Sequence, residues 1–198
     1  MYFVRRALNF IDMAPYRVLR SVRYVMIFSL LIVSGCGDYF DDLHPDGGDK
    51  RPVAVPGTVG PLVGQDAKDF TISDSLGNAV TLSTETASAD GVVLYFTMWC
   101  PVCDSHTSNM RSFVVTRFPN ITFFLVDYVS GSVADVRSAQ LSNGYADFNV
   151  LADINDVAEK GFDATMGTTV VVNSSGVIVM NEDYKDGSRL IDILETLP

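Results

Sequence analysis

The 198-residue sequence has three cysteines, no internal repeat, little positive charge beyond its first 35 residues, and no apolar run long enough to cross a bilayer comfortably. Each scarcity excludes something. After residue 35 only nine Lys plus Arg stand against 23 Asp plus Glu, a net charge of −14. A body of that sign is repelled by phosphate backbones, and no basic stripe interleaved with aromatics offsets it, so nucleic-acid binding is excluded. The longest apolar run, YVMIFSLLIV (24–33), has ten residues, half of what a spanning helix needs. What is present is 47% hydrophobic residues, enough for one ordinary core.

The short run has the setting of a signal peptide. Arg17, Arg20 and Arg23 precede it, and the small residues Ser34 and Gly35 follow before Cys36. Translation can start at Met1 or Met13, and the second start gives a segment of typical signal length. VSGC (33–36) resembles the lipobox of bacterial lipoproteins, which implies cleavage after residue 35 and lipid on Cys36. A signal-anchor helix with an incidental cysteine, or cleavage elsewhere with release, are the alternatives. Two or three acyl chains hold a protein far more firmly than one, since each buried CH₂ contributes roughly 0.8 kcal/mol. With Cys36 assigned to lipid, Cys100 and Cys103 remain, and the thiol count closes.

Residues 36–60 are rich in Asp, Gly and Pro without helical or strand period and are expected to form a tether; as a flexible coil it spans about 27 Å. His44 is a chance member of it. A globular pattern runs from Pro61 to residue 198. DFTISD (69–74) and AVTLS (79–83) flank Gly77-Asn78 as a hairpin. GVVLYFTM (91–98) is a continuous apolar run, the mark of a strand covered on both faces. A helix is expected over 101–118, a buried strand over 121–128, a helix over 132–142, a strand over 148–153 and a short helix over 155–162. A hairpin of TTVVVN (168–173) and VIVMN (177–181) and an amphipathic helix over 187–197 complete the order. Strand–helix–strand units imply right-handed crossovers and a parallel centre, with the last hairpin adding an antiparallel edge.

The stretch WCPVCDSH (99–106) is where chemistry concentrates. Two cysteines so spaced can be a redox pair, a metal clip or two core thiols. Pro101 suits the first helical position, which puts Cys100 at the N-cap. There its sulfur can accept N–H groups from Val102 or Cys103 and meets the positive end of the helix dipole; both favour thiolate. Cys103 lies one turn on, with Cβ atoms roughly 5–6 Å apart, a separation a disulfide can bridge. Cys100 is therefore the expected nucleophile and Cys103 the resolving thiol.

FTMWCPVC (96–103), preceded by a buried strand and by DFTISDSLGNAVTLS (69–83), resembles the thioredoxin superfamily, in particular its membrane-anchored redoxin branch. That branch includes the TlpA-like and ResA-like proteins and borders the peroxiredoxins. The resemblance implies an α/β, thioredoxin-like three-layer sandwich, a central mixed sheet flanked by helices with an N-terminal hairpin extension. It implies a disulfide-forming pair at Cys100 and Cys103, with Trp99 shaping the rim and Pro101 and Val102 between the thiols. The activity implied is disulfide exchange with envelope proteins, most often as a reductant, without a cofactor and with a separate redox-recycling partner. Gly37 after the lipidated position leans towards the outer membrane.

Two positions depart from that family. Its cis-proline, facing the cysteines, falls at Gly167 in Met166-Gly167-Thr168, and restoring proline there is expected to sharpen redox specificity. Thioredoxin's buried acid, six residues before the first cysteine, is replaced by Leu94, so a proton leaving Cys103 needs water or another group. His106, three beyond Cys103 and on a face with Met110 and Phe113, is the candidate; a packed, hydrogen-bonded histidine is the plainer role. Asp104 is expected to be a solvated charge in the first turn.

Two rival functions follow from the same residues. A peroxidase would use Thr97, three before Cys100, but Val93 and Gly167 stand where the peroxiredoxin pattern has proline and arginine. A soft-metal binding protein would hold Cu(I) or Zn²⁺ on Cys100, Cys103 and His106. Metallochaperones of this fold, however, space the cysteines by three and add a distant histidine, and the chain has none beyond 106.

Overall fold

The computed structural model describes residues 54–198. The signal segment, Cys36 and the tether up to residue 53 lie outside the described residues. Backbone pairing begins ahead of residue 61, where the tether was expected to end. Asp66 donates its N–H to the Thr58 carbonyl and accepts that of Gly60, so the last tether residues belong to the domain.

The strands are β1 (Thr71–Asp74), β2 (Ala79–Thr81), β3 (Gly91–Thr97), β4 (Ile121–Asp127), β5 (Asn149–Ala152), β6 (Thr168–Asn173) and β7 (Ile178–Asp183). They form one mixed sheet in the order β2-β1-β5-β4-β3-β6-β7. β3, β4 and β5 are parallel, while β1, β6 and β7 run antiparallel to their neighbours. The expected hairpin extension thus enters the sheet through β1 beside β5. Every residue of β3 is buried, as its unbroken apolar run demands of a strand near the centre of the sheet.

Alternation along β3 feeds two cores. Val93 and Tyr95 face α2 (Pro101–Phe113), α3 (Val133–Ser142) and α5 (Ser188–Leu194), meeting Met110, Val136, Leu190 and Leu194. Val92, Leu94 and Phe96 face the other way, with α1 (Leu82–Ser88) and α4 (Val157–Phe162) contributing Leu82, Ala158 and Phe162. Two helical layers over one sheet make the three-layer thioredoxin-like sandwich.

Two elements differ from the sequence expectation. α1 begins where the second hairpin strand was expected to continue, because Asp69 accepts the Ser83 N–H at 2.9 Å and its hydroxyl at 2.7 Å, capping the helix from 14 residues away. α2 stops at Phe113, and Val115–Arg117 forms a 3-10 turn. β-Branched Val114, Val115 and Thr116, with Pro119 behind them, disfavour further α-helix. Phe113 is 62% exposed and shares no packed face with His106.

The parallel strands β3, β4 and β5 all end at one edge of the sheet. Cys100 follows β3, Asp127 closes β4 and Asp153 follows β5. Because β6 is antiparallel, with Tyr95 opposite Thr169, the segment before it, Met166-Gly167, reaches the same edge.

Candidate active site

The chain leaves β3 through Met98 and Trp99 and enters α2 at Pro101. Trp99 has φ of 58°, a left-handed conformation that costs a non-glycine residue roughly 1–2 kcal/mol. Two hydrogen bonds hold it there. Its backbone N–H donates to Thr97 Oγ1 at 3.1 Å, and its indole Nε1 donates to Asp127 Oδ2 at 2.6 Å. Asp127 is buried, and its carboxylate also accepts the Val129 and Ser130 N–H groups and the Ser130 hydroxyl.

Cys100 is the N-cap, in extended backbone, and its Sγ accepts the Cys103 N–H at 3.2 Å. Both cysteines are free thiols. Cys100 is partly exposed, whereas Cys103 retains 1% of its surface. Burial pushes the Cys103 thiol up, but hydrogen bonds from the Cys100 thiol, the backbone at Met98 and Cys100, and the Thr97 hydroxyl outweigh it. The net effect lowers Cys103 below an ordinary thiol. Support for negative charge was expected at Cys100 alone; the structure also directs it at the buried sulfur.

Behind the sulfurs, the Tyr95 hydroxyl stands 3.0 Å from His106 Nδ1 and beside the Cys103 thiol. Burial, then the neighbouring thiols, push the Tyr95 phenol far above its ordinary value. Burial lowers His106, favouring neutral imidazole. The His106 ring lies 4.9 Å from that of Tyr184, whose hydroxyl donates to Asn109 Oδ1 at 2.6 Å. Burial, followed by Asp186, raises the Tyr184 phenol to about 12. His106 therefore packs among aromatic rings and is also one hydroxyl removed from Cys103.

Asp104 is exposed, as expected, yet it also engages the Tyr145 hydroxyl, which donates to its carboxylate and to its backbone carbonyl. The Tyr145 ring sits 6.3 Å from Trp99, with the Arg111 guanidinium 4.4 Å over its face.

Of the segment at the expected proline position, Thr168 is buried and accepts the Thr165 N–H, while Met166 is 36% exposed beside the site and Val102 50%. No cis peptide occurs among the described residues. Gly167 has φ of +90° and donates its N–H to the Phe96 carbonyl at 2.9 Å. Proline can do neither. The expectation that proline at 167 would sharpen specificity is therefore corrected: the local backbone is built for glycine.

Residue reasoning missed Tyr95, Asp127, Tyr145 and Tyr184. Tyr95 and Asp127 left a signal, being polar groups within and at the end of apolar runs. Tyr145 and Tyr184 sit in connections whose course depends on tertiary packing.

A thioredoxin-like fold carrying two thiols at the start of a helix, on the edge where its parallel strands end, defines the class. The sequence matches the AhpC/TSA family over residues 63–181, and the chain belongs to that family. No curated protein matches the chain. Among solved structures it is similar to the thiol:disulfide interchange protein DsbE from Chlorobium tepidum, at 18% identity and a TM-score of 0.57, covering 71% of this chain and 97% of that one. It is similar to dsbF of MTB at 20% identity and a TM-score of 0.53, covering 64% and 92%. It is also similar to the peroxidoxin BcpB from Mycobacterium tuberculosis at 18% identity and a TM-score of 0.55, covering 68% and 94%. At these identities the likeness concerns the fold.

Proposed function

We propose that this protein is a thiol–disulfide oxidoreductase that exchanges disulfides with protein cysteines in the cell envelope. The observation that carries this reading is the asymmetry of the pair: Cys100 is reachable and receives the Cys103 N–H, while Cys103 is buried one turn behind it. Cys100, partly exposed, loses its proton to solvent and attacks a client disulfide. One client sulfur leaves as thiolate, and a Cys100–client disulfide remains. Cys103 then attacks Cys100 Sγ, the internal disulfide forms, and the second client sulfur departs reduced. A separate dithiol partner returns the pair to its reduced form. The reductant direction is the one that family resemblance favours.

Peroxide chemistry fits less well. Thr97 is engaged with the Trp99 N–H and with Cys103 rather than with the exposed sulfur. Soft-metal binding fits less well too, since His106 turns Nδ1 to Tyr95, and among the described residues no three His, Cys, Asp or Glu side chains gather as a cage.

In this reading the domain is held at the membrane by lipid on Cys36, facing the periplasm and, where the source has an outer membrane, attached there. The test is insulin-disulfide reduction with a dithiol donor. Cys100→Ser abolishes turnover and Cys103→Ser accumulates a mixed disulfide; turnover surviving both changes overturns the assignment. Labelled fatty acid incorporated into the wild-type chain and absent from Cys36→Ser tests the anchor.

A further inference from the structure

Resolution of the mixed disulfide poses a problem that the pair alone does not solve. Once Cys100 has attacked, Cys103 as a thiol, 1% exposed, must lose its own proton before it can attack in turn. The acid that would serve elsewhere is Leu94 here, and Leu94 lies in the opposite core. Alternation puts the next residue, Tyr95, on the side of α2.

The geometry points to Tyr95 and His106 as the proton path of Cys103, an inference that rests on the oxidoreductase reading. The Tyr95 hydroxyl lies 3.0 Å from His106 Nδ1, and Cys103, one turn before His106 on α2, is the thiol beside it. A phenol that does not ionise can still relay, because it accepts one proton as it gives another. For the transfer, the Cys103 S–H turns to the Tyr95 oxygen while the Tyr95 O–H donates to neutral His106 Nδ1. As Cys103 attacks Cys100 Sγ, its proton moves to the Tyr95 oxygen and the Tyr95 proton moves to Nδ1. The sulfur–sulfur bond between Cys100 and the client breaks, and its electron pair leaves on the client sulfur. The imidazolium then returns its proton to solvent.

This path requires His106 to be neutral with Nδ1 free to accept. The burial that lowers its proton affinity provides the first condition, and a proton on Nε2 the second. The ionisable groups facing the couple are Cys100 and Cys103 at the start of α2 and Tyr184 just after β7, with Asp186 beyond Tyr184. The segment before β6 presents Gly167 at this point, where a Cβ would stand 3.9 Å from His106 Cε1, so it adds no ionisable side chain. Tyr95 stands beside the reacting sulfur; His106 acts through it.

The experiment uses the full chain with Cys36→Ser throughout and an equimolar amount of dithiobisnitrobenzoate, whose released thiolate is coloured. The first release reports attack by Cys100 and the second reports resolution by Cys103. Tyr95→Phe keeps the ring and removes the hydroxyl. The first phase should stay within about twofold, while the second slows on the order of 10²-fold, the scale of a positioned acid–base group. His106→Gln should slow the second phase likewise. In the wild type that phase falls as pH drops below the ordinary imidazole value of 6.5, and the inflection disappears in His106→Gln. A wild-type second phase in Tyr95→Phe, or an unchanged inflection in His106→Gln, overturns the proton path while leaving the exchange reaction standing. A wild-type protein with no second phase removes the exchange reading and this inference with it.

Discussion

The indole N–H of Trp99 donates to Asp127 Oδ2 across 2.6 Å and ties the residue before the exposed thiol to the end of the neighbouring parallel strand. This bond joins two strand ends that are 28 positions apart in sequence. It fixes the turn that delivers Cys100 to the helix N-terminus, because this bond and the Thr97 hydroxyl hold the left-handed Trp99 backbone.

Asp127→Ala should therefore lower stability by about 3 kcal/mol, since it strands buried donors from Trp99, Val129 and Ser130. Asp127→Asn should be nearly as harmful. Both carboxylate oxygens accept, so an amide NH₂ meets a donor in either orientation. Urea unfolding of the two variants checks this, and Asp127→Asn at wild-type stability would contradict it.

Gly167→Pro should destabilise by about 3 kcal/mol or more, because proline cannot adopt φ of +90° and has no N–H for the Phe96 carbonyl. Gly167→Ala meets nothing nearer than 3.9 Å and should cost only about 1 kcal/mol for its left-handed backbone. Thermal unfolding of both variants gives the ordering, and proline tolerated better than alanine would contradict it.

Stability should fall as pH drops through the imidazole range. His106 is held neutral by burial, so the unfolded chain takes up a proton near 6.5 while the folded chain takes it up only at lower pH. The contribution is complete above 6.5 and is lost progressively below it. Urea midpoints from about pH 7 to about pH 5 should decline less steeply in His106→Asn than in the wild type. Parallel curves would rule this out. Asp69, Asp74 and Asp186 are all held below 3.8, so their losses come at lower pH.

The centre of the fold was legible because single stretches carried it. GVVLYFT is buried at every position, and proline after Cys100 placed that residue at the N-cap, as found. What escaped depends on partners distant in sequence. α1 starts where it does because Asp69 reaches Ser83, and Tyr145 joins the site through Asp104, 41 residues earlier. Tyr95 was hidden differently. Leu94 stands at the position of the expected acid, and a hydroxyl inside an apolar strand looks like core until the helix packed on it brings up His106 and Cys103. Gly167 occupied the expected position, but only its dihedral and its bond to Phe96 show why proline is unsuited there.

Site-resolved alkylation of the reduced protein, followed by the same measurement after mild oxidation, tests the central claim most directly. Cys100 should be labelled first and Cys103 should stay protected by burial; after oxidation neither should react, and mass spectrometry should find the two sulfurs joined. Faster labelling of Cys103, or two thiols still open after oxidation, would contradict the account.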